Sequence, residues 1–181
     1  LLFGSLFLAA AFSSCEKDEN KIYYEGGTAP ALTASSTAAQ VLVIANKNNT
    51  ALTLNWTNPN YMFSTGVSSQ DVTYTLQFDT VGANFTSPKK YERAIAKDLN
   101  VAMTVGELNT ALLAMDMVEN MPHNIEMRVK ASLINSTVPL ISNVITIRIT
   151  PYLDVVFPVP ANLYITGAAT PGSWMGGGDP E

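Results

Sequence analysis

Val72-Thr73-Tyr74-Thr75-Leu76-Gln77-Phe78-Asp79 puts an apolar side chain at every first position and a polar one between. That is the period of a half-buried β-strand, whose successive side chains point to opposite faces. The alternation recurs where Ile125, Met127, Val129, Ala131 and Leu133 are separated by Glu126, Arg128, Lys130 and Ser132, and again where Ile145, Ile147 and Ile149 are separated by Thr146 and Arg148. Residues 51–57 set Leu52, Leu54 and Trp56 on one face and Thr53 and Asn55 on the other. The short apolar run 41–44 reads as the first strand. Residues 91–95 read as an edge strand, because Lys89, Lys90, Glu92 and Arg93 supply the charges that discourage pairing with other chains. On this reading Gln77 and Asp79 face solvent, and residues 135–139 form a hairpin link between the last two strands.

One segment follows a different period. Thr104 stands three residues before Glu107, the spacing at which hydroxyl and carboxylate cap each other's free amides. Val105, Leu108, Leu112 and Met115 then recur at helical spacing and are expected to pack into the core. Pro122 bars any extension. Several amphipathic strands joined by one short helix imply an all-β sandwich.

Composition excludes some classes of function. The chain has 181 residues, a formal net charge of -5 and no basic stripe of the kind that neutralises phosphates, so nucleic acid is not an expected partner. It has one histidine, His123, read as a turn residue at the mouth of a strand, and one cysteine, Cys15. No disulfide can form within the chain, and no metal cluster, catalytic pair or cofactor site can be nominated. The chain is therefore not expected to be an enzyme. Gly176-Gly177-Gly178 follows Trp174 and Met175 instead of a strand leading into a helix, so it reads as a loop and not as a phosphate cradle.

Cys15 directly follows Leu6-Phe7-Leu8-Ala9-Ala10-Ala11-Phe12-Ser13-Ser14, an apolar run of signal-peptide length and too short for the roughly 20 residues that cross a bilayer. This junction resembles the lipobox of bacterial lipoproteins, which implies lipid attachment at Cys15. Glu16, Asp18 and Glu19 behind it resemble the surface-export signal of Bacteroidetes lipoproteins. The strand Leu52-Thr53-Leu54-Asn55-Trp56-Thr57-Asn58-Pro59, together with Ile125-Glu126-Met127-Arg128-Val129-Lys130-Ala131, resembles the immunoglobulin/fibronectin type III-like sandwich.

More narrowly, the lipobox, the acidic tether, Thr75-Leu76-Gln77-Phe78-Asp79, Val105-Gly106-Glu107-Leu108-Asn109 and Arg128-Val129-Lys130-Ala131-Ser132 together look like the N-terminal domain of SusE-type outer-membrane lipoproteins of starch-utilisation systems. The resemblance implies a cell-surface lipoprotein held in the outer membrane by its lipid. Its N-terminal sandwich would be a spacer, and starch or another glycan would bind to domains C-terminal to it, with other outer-membrane uptake proteins as further partners. The expected organisation is a truncated signal peptide at 1–14, a flexible acidic tether at 15–30, the sandwich at 31–152, and a linker with the start of a glycan-binding domain at 153–181. In that last segment Trp174 is the candidate for stacking on a sugar ring. Asp79-Thr80-Val81 matches the short acceptor pattern for O-glycosylation of exported Bacteroidetes proteins, with Thr80 as acceptor. The competing reading is a fibronectin-like structural or adhesive lipoprotein that binds a protein partner.

Overall fold

The computed structural model describes residues 20–134 and 138–154. Twelve strands are β1 (Tyr24–Gly26), β2 (Leu32–Ala34), β3 (Gln40–Val41), β4 (Thr50–Trp56), β5 (Met62–Phe63), β6 (Gly66–Val67), β7 (Val72–Thr80), β8 (Tyr91–Ala96), β9 (Asn100–Thr104), β10 (His123–Leu133), β11 (Leu140–Ile141) and β12 (Ile145–Thr150). The helix α1 (Val105–Ala114) lies between β9 and β10, and a 3-10 turn occupies Ile44–Asn46. One sheet runs β3-β12-β10-β7-β8, with β11 also on β10; a second runs β2-β4-β9. A small third sheet, β1-β5-β6, comes from the lead-in and the link between β4 and β7.

The alternating strands behave as their period requires. Leu52, Leu54 and Trp56 of β4 face Tyr74, Leu76 and Phe78 of β7 and Ile125, Met127, Val129 and Ala131 of β10 across a common core, and all are buried. Val101 and Met103 of β9 and Ile147 and Ile149 of β12 complete it. Helix α1 closes one end with Val105, Leu108, Ala111 and Leu112, followed by Met115. Its first turn carries the expected box: Glu107 N donates to Thr104 Oγ1 at 3.2 Å, and Thr104 N donates to Glu107 Oε2 at 2.9 Å. The helix stops well before Pro122, because Asp116 turns left-handed at φ 59° while Met115 N and Asp116 N bond the carbonyls of Leu112 and Leu113.

Several expectations need correction. The apolar run 41–44 is not a strand: β3 ends at Val41, a 3-10 turn begins at Ile44, and of the run only Leu42 is buried. Val41 is the end of an edge strand and Val43 and Ile44 lie outside the core, so apolar composition alone misleads. Strands β1, β2, β5, β6, β9 and β11 have only two to five residues, too few to carry a period in the sequence. Gln77 and Asp79 are on the outward face of β7 as expected, yet they are 3% and 1% exposed: Gln77 lies bonded between Arg128 and Glu92 of the neighbouring strands, and the β7–β8 loop folds over Asp79. Strand β8 ends its sheet as the expected edge. Of the predicted hairpin link, residues 135–137 lie outside the described residues; β12 does pair antiparallel with β10.

The registers define two poles. At one, Leu32 pairs with Trp56, Val72 with Leu133, and Thr73 with Ala96; the Trp56 and Tyr74 rings, 5.6 Å apart, tie the two sheets together there. At the other, Thr50 pairs with Thr104, Phe78 with Tyr91, Ile125 with Thr80, and His123 with Ile149. We call the first the proximal pole, because the chain enters the sandwich there at Leu32, and the second the distal pole, where it leaves after Thr150.

Two buried tyrosines near the proximal pole differ in one respect. The Tyr61 hydroxyl donates to Ala131 O at 2.8 Å, whereas the Tyr74 hydroxyl, like Trp56 Nε1, has no hydrogen-bond partner among the described residues. Burial raises both phenols above their ordinary value of 10.0. Tyr61→Phe should therefore cost about 1 to 2 kcal/mol, while Tyr74→Phe should be neutral or stabilising, as measured by urea unfolding. The neutral phenol is the form favoured on folding. Its contribution is complete below the ordinary value and is lost as pH rises through the raised one, so Tyr74→Phe should also blunt the fall in stability above pH 10.

Candidate functional site

Of the residues singled out from sequence, Cys15 and Trp174 lie outside the described residues, and Thr80 is the last residue of β7. The polar groups around Thr80 are drawn together on the outer face of β7, β8 and β10. Arg128 Nε donates to Gln77 Oε1 at 2.7 Å, and Gln77 Nε2 donates to Glu92 Oε1. The pairing of Arg128 with Gln77 and of Gln77 with Glu92 across three adjacent strands makes this relay possible. Burial draws the guanidinium below its ordinary value, and the charges of Glu92 and Asp79 oppose that shift.

Asp79 holds the loop that covers this face. Its Oδ1 accepts from Thr80 N at 2.8 Å and its Oδ2 from Ser87 N at 3.2 Å. Asn84 and Phe85 are both left-handed, at φ 54° and 59°, which is a strained conformation for a phenylalanine. The strain is offset by what it achieves: the Phe85 ring is buried, with Arg128 Cζ 4.0 Å from its centroid. The acidic residue of the acceptor pattern is thus committed to the fold. Thr80 itself is half-buried and laddered to Ile125, and Val81 is exposed.

A second construction fixes the chain where it enters and leaves. Asn143 Oδ1 accepts from Leu32 N at 2.7 Å while its Nδ2 donates to Leu32 O at 3.0 Å. At the other pole, Asn109 Oδ1 accepts from Tyr152 N at 2.8 Å and its Nδ2 donates to Tyr152 O at 3.1 Å. Each carboxamide imitates a strand partner, and Asn109 does so while buried on the core face of α1. Asn143 is directed by a bulge. Met127 faces Ile145, so an unbroken ladder would set Lys130 opposite Ser142, yet Lys130 faces Ile141. Ser142 fills the break: its hydroxyl accepts from Val129 N at 2.8 Å, and its own N donates to Val129 O at 2.9 Å.

Neither clamp was anticipated. Asn109 did leave a trace, being a polar residue one turn from both Val105 and Leu112 on the apolar stripe; Asn143 left none. An open groove of about 420 Å³ lies between β8 and α1, lined by Tyr91, Arg93, Glu107, Thr110, Ala111 and Ala114, and the Arg93–Glu107 ion pair at 3.7 Å spans it. Among the described residues, no three His, Cys, Asp or Glu side chains are placed to hold a metal ion. His123 begins β10, and its Nε2 lies 2.8 Å from Val118 O.

Asp79→Ala should leave the Thr80 and Ser87 amides without their acceptor. The expected cost is about 1 to 3 kcal/mol in denaturant unfolding, with faster amide exchange concentrated in residues 81–90. Unchanged exchange across that loop would mean that Asp79 does not hold it.

No curated protein and no solved structure matches the chain. The family model described as SusE outer membrane protein matches residues 17–130, which takes in the sandwich from its lead-in to the middle of β10. With that match, and with a fold rich in paired strands around one capped helix, this chain belongs to the SusE outer membrane protein family.

Proposed function

We propose that this protein is a surface lipoprotein of a starch-utilisation system, anchored through lipid on Cys15, and that its sandwich is a rigid spacer carrying glycan-binding domains on its C-terminal side. The observation that carries the spacer role is that the chain enters at one pole and leaves at the other, with each passage gripped by a bidentate asparagine. A module that only had to fold would gain little from fixing the direction of both ends. The eleven residues of β10 span roughly 35 Å, and this is the lift such a spacer provides. A single acyl chain binds membranes reversibly, so lasting attachment needs more than one on the cysteine.

The outward surface fits a spacer better than a capture site. Its charges are scattered in exposed pairs such as Lys89–Asp116 and Lys97–Asp71, and the guanidinium of Arg128 is stacked against Phe85 of the β7–β8 loop. Capture of glycan is assigned to the C-terminal side, where Trp174 is the candidate stacking residue.

Two experiments test this. Cys15→Ala should move the protein from the membrane fraction to the soluble fraction, and retention with membranes would overturn the lipid anchor. In gels containing α- or β-glucan, this chain should migrate unretarded, whereas clear retardation would overturn the spacer role.

A further inference from the structure

The proximal pole differs in composition from the rest of the surface. It is built mainly from residues 22–34, 56–72, 96–99, 131–134 and 138–144, and of these 26–34, 56–70, 131–134 and 138–144 contain no Asp, Glu, Lys or Arg. On it stand Ile134, Val67 and Tyr23, which are 86%, 65% and 62% exposed, together with Ile22, Tyr24 and Ile141. These side chains sit on ordered backbone. Tyr23 N donates to Ser64 Oγ at 3.1 Å and Ser64 N to Tyr23 O at 2.9 Å, which stitches the lead-in to the β5–β6 hairpin. The Tyr24 ring packs at 5.7 Å from Phe63 and 6.1 Å from the buried Tyr61. The charges on this pole are Lys21 and Glu25 in the lead-in, Asp98 in the β8–β9 turn, and Asp71 and Lys97, which pair with each other at 2.7 Å. The distal pole also exposes Val41, Val43, Ile44, Val118 and Met121, but among Lys47, Lys89, Asp116 and Glu119.

We infer that the proximal pole is a membrane-docking face, which seats on the lipid surface and holds the spacer upright. A face of exposed β-branched residues and tyrosines with few charges suits the boundary between headgroups and acyl chains, where an aromatic ring with a polar tip is favoured. The occupant follows from chain length, and this step rests on the lipid anchor proposed above. Tyr23 is eight positions beyond Cys15, a span that reaches at most about 28 Å when fully extended. The pole is therefore confined close to the bilayer, and the apolar surface it would otherwise expose to water gains by contact. Local concentration does the rest: a weak contact becomes significant once the anchor makes it intramolecular.

The single thiol allows a test that does not depend on bacterial lipidation. Cys15 of the native chain is coupled to a maleimide lipid in phosphatidylcholine vesicles, and amide exchange is compared with protein capped by a soluble maleimide and mixed with the same vesicles. Coupling should slow exchange at residues 22–25, 65–67 and 134 by about fivefold or more, with no change at 118–121. The exposed-site variant Tyr23→Ser/Val67→Ser/Ile134→Ser should couple equally and lose the protection, while Val118→Ser/Met121→Ser should keep it. Unprotected native protein, equal protection at both poles, or protection that appears without vesicles as protein concentration rises would each overturn the docking face. The last outcome would assign the pole to a second copy of the chain. Because the lipid is supplied chemically, such a failure leaves the fractionation of Cys15→Ala to decide the anchor separately.

Discussion

Nine consecutive residue pairs join β7 to β10, from Thr80 opposite Ile125 to Val72 opposite Leu133, and the rest of the domain depends on that register. It places Tyr74, Leu76 and Phe78 opposite Ala131, Val129 and Met127 on the inner face, so both strands give their apolar sets to the same core. Because side chains alternate with a period of two, a slip of one residue would turn either set toward solvent. The same register sets Gln77 opposite Arg128 on the outer face, and with β8 adding Glu92 opposite Gln77 it creates the polar relay there. Strands β8 and β12 each take their position from one member of the pair. What covers the inner face is apolar and comes from β4, β9 and α1; on the outer face a short loop held by Asp79 and Phe85 covers the distal end.

The two faces are stabilised by different physics. Inside, buried aliphatic and aromatic area does the work, and its tolerance is limited by packing. Outside, Gln77 recovers hydrogen bonds from Arg128 and Glu92 on its neighbouring strands, and Asp79 recovers its own from the Thr80 and Ser87 amides as the loop closes with two successive left-handed residues. The strained Phe85 is thus the counterpart of the buried polar relay beneath it.

Polarity along the long axis is the feature that connects fold to function. Uncharged segments come together at the pole where the chain enters, and much of the charge falls in the distal half and around the β7–β8 loop. The clamps of Asn143 on Leu32 and Asn109 on Tyr152 act on backbone and not on side chains, so they constrain where the chain runs whatever residues precede or follow. The anchored spacer proposed above would need both properties: a defined direction at each end, and a surface near the lipid that does not repel it.

The sequence by itself determined the all-β class, the inward residues of β4, β7, β10 and β12, the charged edge at β8, and the capped start of α1, because period and cap chemistry are written in neighbouring residues. It also carried the family resemblance, which rests on ordered blocks and not on any single residue. The burial of Asp79 and Gln77, the grip of Asn109 and Asn143 on backbone across 43 and 111 positions of sequence, and the meeting of uncharged segments at one pole arise only in the folded molecule. The physical reason is the same in each case. Alternation tells a side chain which face it occupies, but the loop, strand or carboxamide that covers that face arrives from distant sequence, and its arrival is set by the pairing of strands.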